Sequence, residues 1–313
     1  MVTYEDMNFF SLAPLKYIFK VLKHRYMGYV MYHNPRILKS ILYHDKFGKW
    51  IDWNHPRDLN EKINWLAFNT DTTLWTKCAD KFRMREYVKE CGCEEILVPL
   101  YGVWKKASDI EFDKLPEKFV LKTNHGCGGV FIVKDKSKLN IESTVKKLQK
   151  HLDTPFGYKL AEPHYLGISP CVVCEMLLED GVHEHPVDYK IYCFNGEPCY
   201  IWTTSDRVIE THELKGNLFD TEWNRLNHFM AEKFRNNVEV EKPFHLSEML
   251  EYARKLATPF PQVRCDFYEI GNHVYIGELT FTSRAGLIGD FTPDALRIMG
   301  NQIILPPKKK EGK

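Results

Sequence analysis

The sequence predicts an α+β protein with antiparallel sheets, preceded by a mainly helical N-terminal region. Short apolar runs occur in pairs across the tight-turn dipeptides Asn195-Gly196 and Gly271-Asn272, the pattern of β-hairpins. Strands and helices do not alternate one by one, as a parallel sheet with crossover helices would require. Residues 1 to about 75 read as helical instead.

Within that region, breaks are expected at Pro35 and around Asn54-His55-Pro56. Leu59, Ile63 and Leu66 recur at steps of four and three, so they share one helix face. Residues 78–89 read as one further helix with Phe82, Met84 and Val88 near its buried side. The character changes near residue 96. Ile96-Leu97-Val98 and Phe119-Val120-Leu121-Lys122 read as strands, with Val130-Phe131-Ile132-Val133 returning as a hairpin partner. Residues 138–152 form a charged amphipathic helix. Residues 171–178, 189–194 and 199–204 make a strand series, and 246–258 a helix. Residues 263–270 and 274–281 pair across Gly271-Asn272.

The bulk numbers narrow the class. A chain of 313 residues can fill two or three subdomains around a sizeable core. Its 43 basic and 42 acidic side chains nearly cancel, so the totals lack the basic excess of a nucleic-acid binder. The nine cysteines are too few and irregular for a disulfide framework. Cys91-Gly92-Cys93 is too close for paired zinc ligands. Cys171 and Cys174, three apart on a strand, point to opposite faces and cannot share a metal. Buried thiols in a reducing cytosol are the expectation. The first apolar cluster lacks the cleavage pattern of a secretory signal. No apolar stretch reaches the ~18 residues of a membrane span. Residues 9–32 come nearest, interrupted by Lys16, Lys20, Lys23, His24 and Arg25. They read as a helical pair packed on the rest of the chain, or as an aromatic and basic surface for peripheral contact with an anionic membrane. Lys308-Lys309-Lys310 reads as a solvated tail.

Three clusters look chemical. In Lys122-Thr123-Asn124-His125-Gly126-Cys127-Gly128-Gly129, glycines let backbone amides approach phosphate oxygens, and the strand lysine supplies positive charge. It is not a P-loop, and a glycine-rich hairpin is also a common simple turn. On neighbouring antiparallel strands, Arg264 and Asp266 share a face with Glu278 and Thr280. Converging carboxylates there suit a hard cation such as magnesium, or Arg264 neutralises both acids on a charge-paired sheet. Lys190 sits among apolar residues, where an unpaired ammonium is costly; its partner is a phosphate or Asp188, two residues away.

Taken in order, these pieces resemble the ATP-grasp superfamily and, more narrowly, the teichuronopeptide-biosynthesis (TupA-like) ATP-grasp family of surface-polysaccharide clusters. The resemblance covers roughly residues 55 to 305. It runs from Leu59-Asn60-Glu61-Lys62-Ile63 through Asp80-Lys81, the loop from Lys122 to Gly129 and Val173-Cys174-Glu175. It continues through Asp188-Tyr189-Lys190 and Arg264-Cys265-Asp266-Phe267 to Gly277-Glu278-Leu279-Thr280-Phe281.

The resemblance implies an ATP-grasp fold, two α+β subdomains whose antiparallel sheets enclose ATP. It implies a helical region over 1–75 and an ATP-grasp domain over 76–313, with a lid subdomain at about 116–178 and a metal-binding subdomain at about 186–305. Lys81 and Lys122 then contact the nucleotide, under a lid of Gly126, Gly128 and Gly129. Glu175 and the backbone of Met176 and Leu177 form the hinge that reads adenine, and Glu179 or Glu184 takes the ribose. Lys190 contacts the phosphates. Asp266 and Glu278 hold magnesium, with Thr280 where many ATP-grasp ligases have asparagine, and Arg264 stabilises the transferring phosphoryl group. Thr282-Ser283-Arg284-Ala285-Gly286 departs from the more usual proline-containing stretch.

The implied activity is a cytoplasmic, magnesium- and ATP-dependent ligation of a small-molecule or saccharide carboxylate to an amine. The carboxylate belongs to a uronic or amino acid. Three rivals stand beside it. One is a nucleotide-sugar glycosyltransferase, though the sequence lacks an Asp-x-Asp metal site. Another is a non-catalytic carbohydrate-binding or scaffold protein that keeps the fold, against which Lys122, Asp266 and Glu278 argue. The third is a kinase on the same fold. Tyr200 and Trp202 are expected in the core rather than stacked on a sugar, and His125 as an exposed loop residue.

Overall fold

Local chemistry sets where each helix starts. In the computed structural model, which describes residues 33–204, 215–236 and 238–309, helix α1 (Pro35–Phe47) begins where Asn34 accepts the Ile37 amide and proline takes the first helical turn. Pro35 therefore opens a helix more than it breaks one. Helix α2 (Leu59–Asn69) is capped by Asp58, which accepts the Glu61 amide at 2.9 Å, and its Leu59, Ile63 and Leu66 are buried as expected. The single helix expected over 78–89 is two, α3 (Thr73–Ala79) and α4 (Met84–Glu90). They part at Asp80, whose Oδ1 accepts the amides of Phe82 and Arg83 and the side-chain amide of Asn124. Met84 and Val88 are buried, but Phe82 is exposed.

Two antiparallel sheets follow. The first has the order β1-β4-β2-β3, with β1 Leu100–Trp104, β2 Phe119–Thr123, β3 Val130–Val133 and β4 Val172–Glu175. Ile96-Leu97-Val98 is not a strand. A 3-10 turn over Glu94–Ile96 occupies its start, and Leu97 makes one isolated bridge to Ile276. Helix α5 (Ile141–Leu152) packs its Leu148 and Leu152 against this sheet's own small core.

The second sheet has the order β7-β6-β5-β8-β9. Its strands are β5 Asp188–Phe194, β6 Glu197–Thr204, β7 Gly216–Phe219, β8 Gln262–Ile270 and β9 His273–Thr280. Asn195 and Gly196 both have positive φ, as the tight β5–β6 hairpin requires. Helix α6 (Leu246–Ala257) packs on β5, β6 and β8, while α7 (Pro293–Gln302) packs on α2. These elements enclose the larger core, which includes Ile191, Cys193, Trp202 and Phe267. Strand β7 and helix α7 were not anticipated from the sequence. Tyr200 and Trp202 are core residues, as expected.

All nine cysteines are free thiols, eight of them buried or half-buried. No helix among the described residues is long and apolar enough to cross a membrane. The expectations for residues 9–32 and for Lys310 lie outside the described residues; Lys308 and Lys309 are exposed.

Candidate active site

Each sheet contributes one set of polar side chains. On the first, β2 pairs with β4 so that Lys122 and Glu175 point to the same face, and Lys122 Nζ donates to Glu175 Oε2 at 2.9 Å. Arg85 reaches from α4 to the other carboxylate oxygen at 3.2 Å, and also to the Val98 carbonyl. Glu175 is buried, so two cations share its charge.

The glycine loop docks on the Asp80–Lys81 turn. Asn124 donates to Asp80 Oδ1 at 2.8 Å and to the Ser169 carbonyl at 3.0 Å, while Lys81 Nζ donates to the Gly126 carbonyl at 2.7 Å. Gly126, Gly128 and Gly129 all have positive φ. A β-carbon at Gly129 would lie 2.5 Å from Thr123 Oγ1, so a side chain there would collide with the loop itself. His125 is buried, contrary to expectation, with Nε2 3.4 Å from the Thr154 carbonyl. Burial holds its pKa below the usual histidine value.

On the second sheet, register does the work. Lys190, Asp266 and Glu278 are direct cross-strand partners on β5, β8 and β9, and one step along, Tyr192, Arg264 and Thr280 are partners in the same way. Asp188, Lys190, Arg264, Asp266, Glu278 and Thr280 therefore share one face. Lys190 Nζ donates to Asp188 and, at 2.8 Å, to Asp266 Oδ2. Arg264 grips Asp266 with Nε and Nη2, each at 2.6 Å. Its Nη2 also reaches Glu278 Oε1 at 2.9 Å and Thr280 Oγ1 at 3.1 Å, and its Nη1 reaches Ser283 Oγ at 3.2 Å.

Burial works to raise the Glu278 pKa, but Lys81, Arg264 and Lys190 outweigh it and hold the carboxyl well below the usual range. Lys81, one of these cations, is bonded to the glycine loop through the Gly126 carbonyl. Of the expected phosphate-contacting lysines, Lys190 meets the expected metal ligand Asp266 directly, while Lys122 is paired with Glu175 on the first sheet.

A hard cation fits this donor set. An ionised carboxylate offers about four lone-pair sites, and Arg264 and Lys190 use three of those on Asp266. Glu278 is the open ligand, its side chain 38% exposed. No cluster of three or more His, Cys, Asp or Glu able to hold a metal stands among the described residues. A magnesium ion here would fill most of its shell with phosphate oxygens and water, which is its habit.

The chain matches the family model described as TupA-like ATPgrasp over residues 61–304, most of its length. The chain belongs to the TupA-like ATP-grasp family. Its two antiparallel sheets are those of the ATP-grasp fold that membership entails. No curated protein sequence matches it. Solved structures similar to this ATP-grasp chain include an ADP complex of N5-carboxyaminoimidazole ribonucleotide synthetase. That likeness has 13% identity and a TM-score of 0.43, covering 67% of this chain and 46% of the other. D-alanine–D-alanine ligase from Bacillus anthracis, complexed with ATP, is similar at 17% identity and TM-score 0.42, covering 68% and 57%. D-cycloserine synthetase is similar at 12% identity and TM-score 0.44, covering 74% and 71%. The chain therefore spans about half the length of the first two. The family assignment rests on the sequence match.

The remaining expected residues are more dispersed. The Met176 amide is bonded to the Pro99 carbonyl at 2.9 Å, and Leu177 follows it half-buried at the end of β4. Glu179 is exposed and paired with Lys118 at 2.7 Å, and Glu184 is exposed.

Sequence reasoning missed the support of the loop after β9. Arg284, Ala285 and Gly286 are three successive left-handed residues. Buried side chains from the helical region hold their backbone. Lys39 donates to the Ala285 carbonyl at 2.6 Å, and Asn64 to the Gly286 carbonyl at 2.8 Å. Asn60 bonds both the amide and the carbonyl of Ile288, at 2.7 and 2.9 Å. Burial pulls the Lys39 pKa down to about 8, against the opposing charge of Glu162. Glu162 in turn accepts the Thr282 hydroxyl at 2.6 Å. The polar residues Asn60 and Asn64 on an otherwise buried helix face were the available signal.

Proposed function

We propose that the chain is a magnesium- and ATP-dependent carboxylate–amine ligase, working in the cytoplasm on surface-polysaccharide or glycopeptide precursors. The observation that carries this reading is the row Lys190–Asp266–Glu278 with Arg264, in a chain that also holds the Lys81-bonded glycine loop. The substrate is a uronic or amino acid, and the acceptor an amine. In this reading residues up to about 75 form a helical region, 116–178 the lid and 186–305 the metal-binding subdomain. Nine free thiols suit a reducing compartment.

A carboxylate is a poor electrophile because oxide would have to leave. Its oxygen attacks the γ-phosphorus of ATP, the bond to the β-phosphate oxygen breaks, and ADP departs. The amine nitrogen then attacks the acyl phosphate carbon, the carbon–oxygen bond breaks, phosphate leaves, and the amine proton passes to solvent. Lys122 and Lys81 hold phosphate charge beside the glycine loop, and Glu175 with Met176 and Leu177 lines the adenine end. Lys190 and Arg264 stabilise the charge that spreads over the moving phosphoryl group. Glu278, Asp266 and Thr280 would hold magnesium, which supplies neutralisation of phosphate charge when bound. The lid keeps water from the acyl phosphate. No step needs a nucleophilic side chain.

Thermal unfolding with magnesium-ATP, set against magnesium with UDP-sugars, tests the proposal. A ligand of the folded state at a hundredfold excess over its Kd adds about 2.7 kcal/mol. Stabilisation by ATP alone supports the ligase and justifies screening acids and amines for ADP release. Stabilisation by a UDP-sugar without ATP replaces it with a glycosyltransferase.

A further inference from the structure

Arg284 has an unusual setting for an exposed arginine. Its backbone is left-handed, at φ 52°, as is that of Ala285 at φ 58°, a conformation non-glycine residues adopt at a cost. The buried bonds from Lys39, Asn60 and Asn64 keep the loop in this shape. The side chain is held as firmly. Asp290, its carboxylate 3% exposed, accepts Arg284 Nε at 2.9 Å and Nη2 at 3.2 Å. The guanidinium carbon lies 6.0 Å from the Trp202 ring centroid. Arg284 nevertheless remains 37% exposed, and its Nη1 has no bonded partner among the described residues. One edge of the fork is fixed by a buried acid, while the side chain as a whole keeps more than a third of its surface exposed.

Its location gives this arginine a use. Trp202 on β6 is the cross-strand partner of Lys190, so Arg284 lies over the face that carries the row Lys190–Asp266–Glu278. Arg264, on β8, is two strands from β6, roughly 10 Å at ordinary strand spacing. Ser283, the neighbour of Arg284, is bonded to Arg264. The loop therefore joins the phosphoryl-transfer end of the site to a second cationic point on its far side.

We infer that Arg284 is a specificity residue which binds a second carboxylate of the substrate, one separate from the carboxylate that is phosphorylated. A planar, partly exposed guanidinium matches a carboxylate better than a hydroxyl or an amide does. Trp202 beneath it and Asp290 behind it pre-organise the fork, so little side-chain entropy is lost on binding. The substrate class becomes a dicarboxylate, either an acidic amino acid or a sugar diacid. This rests on the ligase reading given above.

The test is ADP release with magnesium-ATP and hydroxylamine as the amine, using matched pairs of acids. L-Glutamate is compared with L-glutamine, and galactarate with galactonate. The expected result is a lower KM for the dicarboxylate of one pair, which also tells the amino-acid source from the sugar source. In Arg284→Gln that KM rises roughly ten- to a hundredfold, while the monocarboxylate KM and both kcat values stay within about threefold. Arg284→Lys recovers part of the preference. Arg284→Gln with Asp290→Asn removes the orphaned buried acid and must show the same loss if the single variant folds poorly. Thermal stabilisation by ATP is read on every sample. A wild type without dicarboxylate preference in either pair, or an Arg284→Gln variant that keeps it, overturns the Arg284 assignment while ATP stabilisation leaves the ligase reading standing. A wild type that ATP does not stabilise overturns both.

Discussion

Replacing Asp266 and replacing Glu278 should have different consequences, although both carboxylates are proposed for the same metal site. The Asp266 side chain is 2% exposed and takes three donor contacts of 2.6 to 2.8 Å from Arg264 and Lys190. Asp266→Ala leaves two buried cations short of their main partner, a loss that costs about 3–5 kcal/mol when a buried pair is broken. Lys190 keeps Asp188, and Arg264 keeps Glu278 and Ser283, so the lower end, about 3 kcal/mol, is expected. That is a large share of the 5–15 kcal/mol typical of a folded protein. Glu278 is 38% exposed and its contact with Arg264 is screened, so Glu278→Ala should cost about 1 kcal/mol or less. Both variants should lose ATP turnover. Urea unfolding at pH 7.5, with ADP release measured on the same preparations, separates the two effects. A wild-type urea midpoint in Asp266→Ala would show that the buried network carries no such load. Full turnover in Glu278→Ala would remove it from the site.

Three further outcomes follow from the geometry. Lys122→Ala should raise the KM for ATP roughly tenfold or more, with little loss of stability because Arg85 still holds Glu175; an unchanged KM makes the glycine hairpin a simple turn. Asn64→Ala frees the Gly286 carbonyl, so it should cost about 1–3 kcal/mol and raise the KM for the acid substrate while that for ATP stays put. Equal changes in both would deny the loop its separate role. His164 is buried against Trp75, Tyr165 and Phe281, and burial pushes its pKa down to about 3. The folded state thus binds fewer protons than the unfolded one, and the stability this gives is complete above about pH 6.5 and lost progressively toward pH 3. Between pH 7.5 and 5 the wild type should lose about 2 kcal/mol more than His164→Leu, measured by urea unfolding; parallel curves for the two proteins would refute it.

Much of the site could be read in the chain because sheet geometry is periodic. The turn at Gly271-Asn272 and the alternation along two strands reveal the hairpin, but alternation alone would set Asp266 opposite Gly277. A register shift between Asp266 and Phe267 is what brings Asp266 opposite Glu278 and Arg264 opposite Thr280. The sequence left two roles open for the charged residues, and the structure makes the ion pairs: Arg264 with both acids, and Lys190 with Asp188. Errors fell where tertiary contacts override local pattern. Residues 78–89 have helical periodicity, yet the Asn124 bond to Asp80 joins the break that turns Lys81 toward the glycine loop. The Lys39, Asn60 and Asn64 contacts span more than 200 residues, and no local pattern encodes them. Strand β7, four residues long, carries too short a pattern to be recognised.

The way the loop after β9 is held separates its shape from its chemistry. Lys39, Asn60 and Asn64 grip it by carbonyl and amide groups, which every substitution but proline retains. The backbone of the turn is thus held independently of the Arg284 side chain, which pairs instead with the buried Asp290, whereas Gly286, whose added β-carbon would come within 2.6 Å of Asn64, admits no side chain. A change at position 284 can thus alter what the loop presents without altering how its backbone is held, while position 283 stays tied to Arg264 on the neighbouring strand.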